Sequence, residues 1–187
     1  MDSFIFSLLL VFALALGGRD QWLVARWADA LGRSVPLLLI GIVSACASAG
    51  VMAWLGSEFA AMLPPRAAQM LVAFALALAG FELGWQVKFK PPREPTRSLG
   101  AVAIVLAARQ IGDGARFAVF AFAAQASLPA TAALGGALGG AAAVAMGWSL
   151  GSAGLERLPL PVLRRGLALC LILAALFIGL NARYDAF

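Results

Sequence analysis

Leu16-Gly17-Gly18-Arg19-Asp20-Gln21 interrupts one long apolar run of this chain, and Arg109-Gln110-Ile111-Gly112-Asp113-Gly114-Ala115-Arg116 interrupts another. Each pairs glycines, which loosen a helix, with charges that are costly inside hydrocarbon, of order 2.5–3.5 kcal/mol per group on insertion scales. Charges kept at that cost are candidates for function, and the two stretches read as two copies of one element.

The surrounding composition fixes the class. The chain is 63% hydrophobic and 12% charged, with a mean hydropathy of +0.93, a balance that a water-soluble surface does not tolerate. An all-α integral membrane protein is expected. Crossing ~30 Å of hydrocarbon at 1.5 Å per residue takes about 20 apolar residues. Six such runs follow one another: Ser3 to Trp27, Val35 to Leu55, Arg66 to Val87, Leu99 to Ala126, Ala130 to Gly151 and Val162 to Ala182. The first and fourth carry the polar elements. Ala13-Leu14-Ala15 imitates a signal-peptide cleavage site, but no basic segment precedes it, so the first run is expected to stay as a span.

Landmarks recur at a fixed offset. Pro36, Trp54 and Leu63-Pro64 are answered by Pro129, Trp148 and Leu158-Pro159, and Gly17 by Gly112, each 93 to 95 residues on. The chain therefore divides into repeat one (1–87), a Pro- and charge-rich linker (88–98) and repeat two (99–187). Three spans per repeat is an odd number, so the second repeat enters the membrane inverted, as in many secondary transporters whose substrate site lies where the halves meet. Lys and Arg favour cytoplasmic loops. Arg26 and Arg33, then Lys88, Lys90, Arg93 and Arg97, then Arg157, Arg164 and Arg165 follow spans one, three and five. The expected location is the cell (inner) membrane, multi-pass, with both termini non-cytoplasmic. Topology and anionic lipid account for the basic balance, without nucleic acid.

Small residues at four-residue spacing, Gly41, Ala45, Ala49 and Ala53 in span two and Gly135, Gly139, Ala143, Gly147 and Gly151 in span five, let backbones approach closely. They serve either contacts within one chain or a homodimer seam.

Six spans, a motif in spans one and four, glycine-rich spans two and five and a basic central loop resemble the GDT family of cation/proton antiporters, which includes Golgi manganese/calcium transporters and bacterial manganese exporters. That family has two inverted three-helix repeats, each with a motif of Glu, an apolar residue, Gly, Asp, Lys or Arg, and Ser or Thr, often followed by Gln. In the first copy here Leu16, Gly17, Arg19 and Gln21 fit, while Ala15, Gly18 and Asp20 stand at the Glu, Asp and Ser/Thr positions. In the second, Ile111, Gly112 and Asp113 fit, Gln110 replaces Glu, and Gly114, Ala115 and Arg116 depart. The resemblance implies exchange of a divalent cation, manganese or calcium, for protons, with the transported ion as cargo, no resident cofactor and no enzymatic activity. It also implies a site built from Asp113, Gln110, Gly112, Asp20, Arg19, Gly17, Gly18 and Gln21, with Asp113 as the metal-ligating carboxylate.

A buried divalent cation wants several oxygen ligands and negative charge. This neighbourhood holds Asp20 and Asp113 against Arg19, Arg109 and Arg116, unless Arg109 and Arg116 reach the surface along their stems. Two arrangements follow. Asp113 exchanges protons and a cation while Gln110 supplies an amide oxygen and the glycines expose carbonyls; or Arg19 pairs with Asp113 across the pseudo-two-fold axis as a structural bond. In the second case the chain is a non-transporting membrane subunit or scaffold, a partner for a second copy or for a complete family member. A third outcome is a changed substrate, monovalent or anionic.

The other candidates are weaker. Glu82, about a turn before Lys88, is expected at the membrane interface, and Trp22, Trp27, Trp54, Trp85 and Trp148 in aromatic belts near span ends. With no histidine, His-based catalysis is excluded, and Cys46 and Cys170 read as separate apolar fillers.

Overall fold

The computed structural model describes residues 2–85, 98–110 and 112–184. Ile111 and nearly all of the predicted linker, 88–97, lie outside the described residues. Among those described there are eight helices and no strand: α1 (Asp2–Ala15), α2 (Arg19–Leu31), α3 (Val35–Ala61), α4 (Pro65–Gly84), α5 (Leu99–Gln110), α6 (Gly114–Gln125), α7 (Pro129–Glu156) and α8 (Leu160–Tyr184).

The helices begin where the local sequence provides for it. Proline occupies the first turn of α3, α4 and α7, where its missing N–H has no intrahelical partner to lose. The first predicted span is two helices, Ser3–Ala15 and Arg19–Leu31, meeting at a 60° bend. At the bend Gly17 takes φ +69°, a conformation side-chain-bearing residues rarely adopt. The fourth predicted span is likewise divided, into α5 and α6 of 12 residues each, on either side of Asp113. Four helices, α3, α4, α7 and α8, are each long and apolar enough to cross a membrane, and the bent α1–α2 pair makes a fifth.

The helix bounds keep the offset seen in the sequence. Ala15 and Gln110 end α1 and α5 95 positions apart; Arg19 and Gly114 open α2 and α6, and Pro65 and Leu160 open α4 and α8, at the same interval. Helix α4 lies along α8 and α3 along α7, while α1 and α2 both pack on α7 and α6 fits between α3 and α4. Helix α5 touches mainly α3 and leaves beside it an apolar groove of about 890 Å³ with Gln110, Ser44 and Ser48 among its lining.

Large apolar side chains face outward and small ones inward. Phe6, Val43, Phe74, Ile104 and Phe177 are each more than 60% exposed, whereas Ala45, Ala49, Ala79, Ala115 and Ala118 are fully buried. This is the arrangement expected when lipid surrounds the molecule and close helix packing supplies the cohesion. The small-residue stripes face inward, with Gly135 and Gly139 against the α1 backbone at Phe4 and Leu8, Gly147 against Gln21, and Gly41 against Val144. Trp54 and Trp85 are exposed, as belt residues should be, but Trp27 is buried and Trp148 donates its indole N–H to the Ser34 carbonyl at 3.1 Å. Those two pack the α2–α3–α7 junction, because the bend carries α2 into the bundle.

Candidate functional site

The two breaks meet inside the bundle. Asp20 lies in the first turn of α2, and Asp113 is the residue that opens α6, so both carboxylates sit at the positive ends of helix dipoles, where negative charge is favoured. Both are buried, as are Gln21, Gln110 and Arg116. Asp20, Asp113 and Arg116, with Gly18, Gln21 and Gly140, line an enclosed cavity of about 10 Å³, space on the order of one water molecule.

Arg116 is the basic member of this group and does not reach the surface, contrary to the expected snorkelling; its side chain is 2% exposed. It lies over Gly140, where there is no side chain to displace it. Its Nε donates to Ser48 Oγ at 2.7 Å, its Nη2 stands 3.9 Å from Asp20 Oδ2, and its Nη1 has no partner. Arg109, by contrast, is exposed. Asp20 Oδ1 and Gln110 Nε2 both lack partners although the two side chains adjoin. Gln110 Oε1 accepts from Ser44 Oγ at 3.0 Å, which leaves that oxygen one further acceptor site. A small pocket lined by such polar atoms can take a small guest that pairs with them.

Gln21 has a different task. Its Oε1 accepts the Gly17 N–H at 2.7 Å and its Nε2 donates to the Ala143 carbonyl at 2.9 Å, so both ends of the amide hold the broken turn against α7. Gly17 and Gly18 form the break itself, and Gly18 is the residue before α2. Gly112 forms the turn before Asp113 and has open space around it.

Arg19 does not pair with Asp113. It lies 3.4 Å from Glu82 Oε1, and Arg164 Nη2 lies 3.3 Å from Glu82 Oε2. That second oxygen also accepts the backbone N–H of Gly114 at 3.3 Å, which ties α4 to the start of α6. Glu82 is therefore largely buried, with its side chain 10% exposed. Its place next to Lys88 in sequence pointed outward, whereas an acid within an apolar span was the signal that pointed inward. Ser44 and Ser48, one turn apart on the small-residue face of α3, were missed; hydroxyls on such a face mark a polar neighbour.

Among the described residues no three of Asp, Glu and Cys come together in a way that could hold a metal ion. Comparison of the chain with family models, with curated proteins and with solved structures finds no match.

Proposed function

We propose that this protein is a multi-pass membrane carrier of two inverted repeats that exchanges a small cation for protons, with Asp20 and Asp113 as the carboxylates that take up one or the other. The observation that carries this function is the meeting of two broken helices at a small cavity whose walls hold two carboxylates against one guanidinium. Half-helix ends facing a buried polar site are the means by which transporters bind ions within a bilayer.

Inverted repeats are supported by side chains as well as helix bounds. Gln21 of α2 bonds to Ala143 of α7, and Arg116 of α6 bonds to Ser48 of α3; each residue of the second pair is 95 positions from its counterpart in the first. Helices α3 with α7, and α4 with α8, are the pairs a two-fold axis would bring face to face. With α1–α2 and α5–α6 each taken as one broken span, the count becomes six.

Manganese or calcium, implied by the resemblance to the GDT family, would have to displace Arg116 from Asp20. One uncompensated negative charge is better matched to a proton or a monovalent cation. A non-transporting subunit of the same fold is favoured by one observation, the small size of the cavity.

Proteoliposomes loaded with a pH dye and given manganese, calcium or sodium outside provide the test. Cation-driven proton movement is expected, falling at least tenfold in Asp113→Asn and Asp20→Asn. No movement with any cation from folded protein, with the substitutions altering only the melting temperature, would overturn exchange and leave the scaffold.

A further inference from the structure

The apolar groove between α3 and α5, with its volume of about 890 Å³, falls in the range of about 300–1,000 Å³ usual for small-molecule sites. The 95-residue offset shows that the sequence builds it. Helix α1 closes on α7 because Gly135 and Gly139 let the α1 backbone at Phe4, Leu8 and Phe12 come into contact. The counterparts of those glycines on α3 are Ile40 and Ser44, and the counterparts of Leu8 and Phe12 on α5 are Ala103 and Ala107. Side chains on α3 thus hold the α5 backbone off, while alanines on α5 leave the space between open, and all four residues line the groove. Val43, 63% exposed, and Ile104, 71% exposed, form its lips, so it opens sideways toward hydrocarbon.

The inner end of the groove has a one-sided hydrogen-bonding character. Among the described residues the polar groups of the lining are Ser44, Ser48 and Gln110. Ser44 Oγ gives its hydrogen to Gln110 Oε1, and Ser48 Oγ gives its own to the Ala45 carbonyl at 3.1 Å while accepting from Arg116 Nε. Both hydroxyls and the second acceptor site of Gln110 Oε1 therefore offer lone pairs and no hydrogen. The donor of that amide, Nε2, is buried beside Asp20. Behind this end Asp20 and Asp113 outnumber Arg116, and Arg109, the charged residue of α5, is exposed and outside the lining. An ammonium, with three N–H donors, no acceptor and one positive charge, meets both conditions. The walls ask in addition for an apolar body.

We propose that this groove binds an amphiphilic organic amine in its ammonium form, its N–H groups on Ser44, Ser48 and Gln110 Oε1 and its hydrocarbon between α3 and α5. The inference deepens the exchange reading, on which it rests for transport but not for binding, by naming the cation. That cation is a monovalent organic ammonium entering from the lipid, whose single charge matches the one uncompensated negative charge of the site.

The full chain in a neutral detergent is titrated calorimetrically with naphthylmethylammonium, and with naphthylmethanol and naphthalenecarboxylate, which keep the hydrocarbon and remove or reverse the charge. The ammonium is expected to bind at least about tenfold more tightly than either, the scale of one charge-assisted contact. Ala107 is exposed, so Ala107→Leu places its added atoms in the groove without entering the core. It is expected to weaken ammonium binding at least about tenfold and to leave the melting temperature of the free protein near that of the wild type. Should it not fold, Ala47→Leu on the opposite wall, also exposed, gives the same readout. Equal binding of ammonium and alcohol would overturn the amine and leave an apolar cleft for lipid. No binding of any probe, or ammonium binding unchanged in a folded variant, would overturn the site. Sodium-driven proton movement by protein that binds no ammonium would overturn this inference and leave exchange standing. Ammonium binding without proton movement driven by any cation would overturn exchange and leave the groove as a binding site.

Discussion

Glu82 joins three helices through two carboxylate oxygens, reaching Arg19 of α2, Arg164 of α8 and the Gly114 N–H of α6. Glu82→Gln keeps the shape but leaves two arginines facing a neutral amide. A fully buried pair broken in this way costs about 3–5 kcal/mol. Here Arg19 retains about a third of its exposure, so about 1–3 kcal/mol is expected, read as a lower melting temperature. Combining Glu82→Gln with Arg19→Gln should cost less than the sum of the single changes, since the two remove one interaction. Additive losses would mean that the pair contributes nothing. Arg19 illustrates the limit of spacing alone: sequence placed it near two acids of the motifs, and the fold gave it to a third, from α4.

At the scale of elements, the α1–α2 break depends on Gln21 and on two close approaches. Gln21→Ala removes the acceptor of the Gly17 N–H and the donor to the Ala143 carbonyl in one step, leaving the part-buried Gly17 N–H without its acceptor while the Ala143 carbonyl keeps its bond within α7. A loss of about 1–3 kcal/mol is expected in thermal unfolding. A Cβ on Gly147 would sit 2.7 Å from Gln21 Cγ and 2.8 Å from its carbonyl oxygen, so Gly147→Ala has to push α2 off α7. Overpacking of this kind costs about 1–3 kcal/mol. Because α2 carries Asp20, any exchange activity should fall along with stability; an unchanged melting temperature would show that the contact yields freely.

Across the whole molecule, inverted repeats make a prediction about sidedness. Met62 follows α3 and Arg157 follows α7, 95 positions apart, and both are exposed. With Cys46 and Cys170 replaced by Ala, Met62→Cys and Arg157→Cys should react with an impermeant maleimide from opposite sides of a sealed membrane. Labelling of both from one side would rule out the inverted arrangement. The inward-facing stripes bear on assembly too. Ala49 is fully buried, so Ala49→Leu should lower stability by about 1–3 kcal/mol without changing the oligomeric state in size-exclusion chromatography. A shift in that state with unchanged melting would return the stripe to a seam between copies.

Sequence by itself determined the class, the apolar runs, the two polar interruptions and the repeat offset. These follow from local quantities: apolar run length, proline in first turns, glycine pairs and the cost of charge in hydrocarbon. The burial of Asp20, Gln21, Gln110 and Asp113 was legible in the same way, since polar residues inside apolar runs have to find partners. Which partners they find was decided only by the tertiary structure. The 60° bend between α1 and α2 turns α2 inward, so that Arg19 meets Glu82, Asp20 meets Arg116, and Trp27 enters the core instead of the membrane belt. Pairing of long charged side chains depends on helix directions and crossings set by the packing of distant segments, and a motif's spacing along the chain does not contain them.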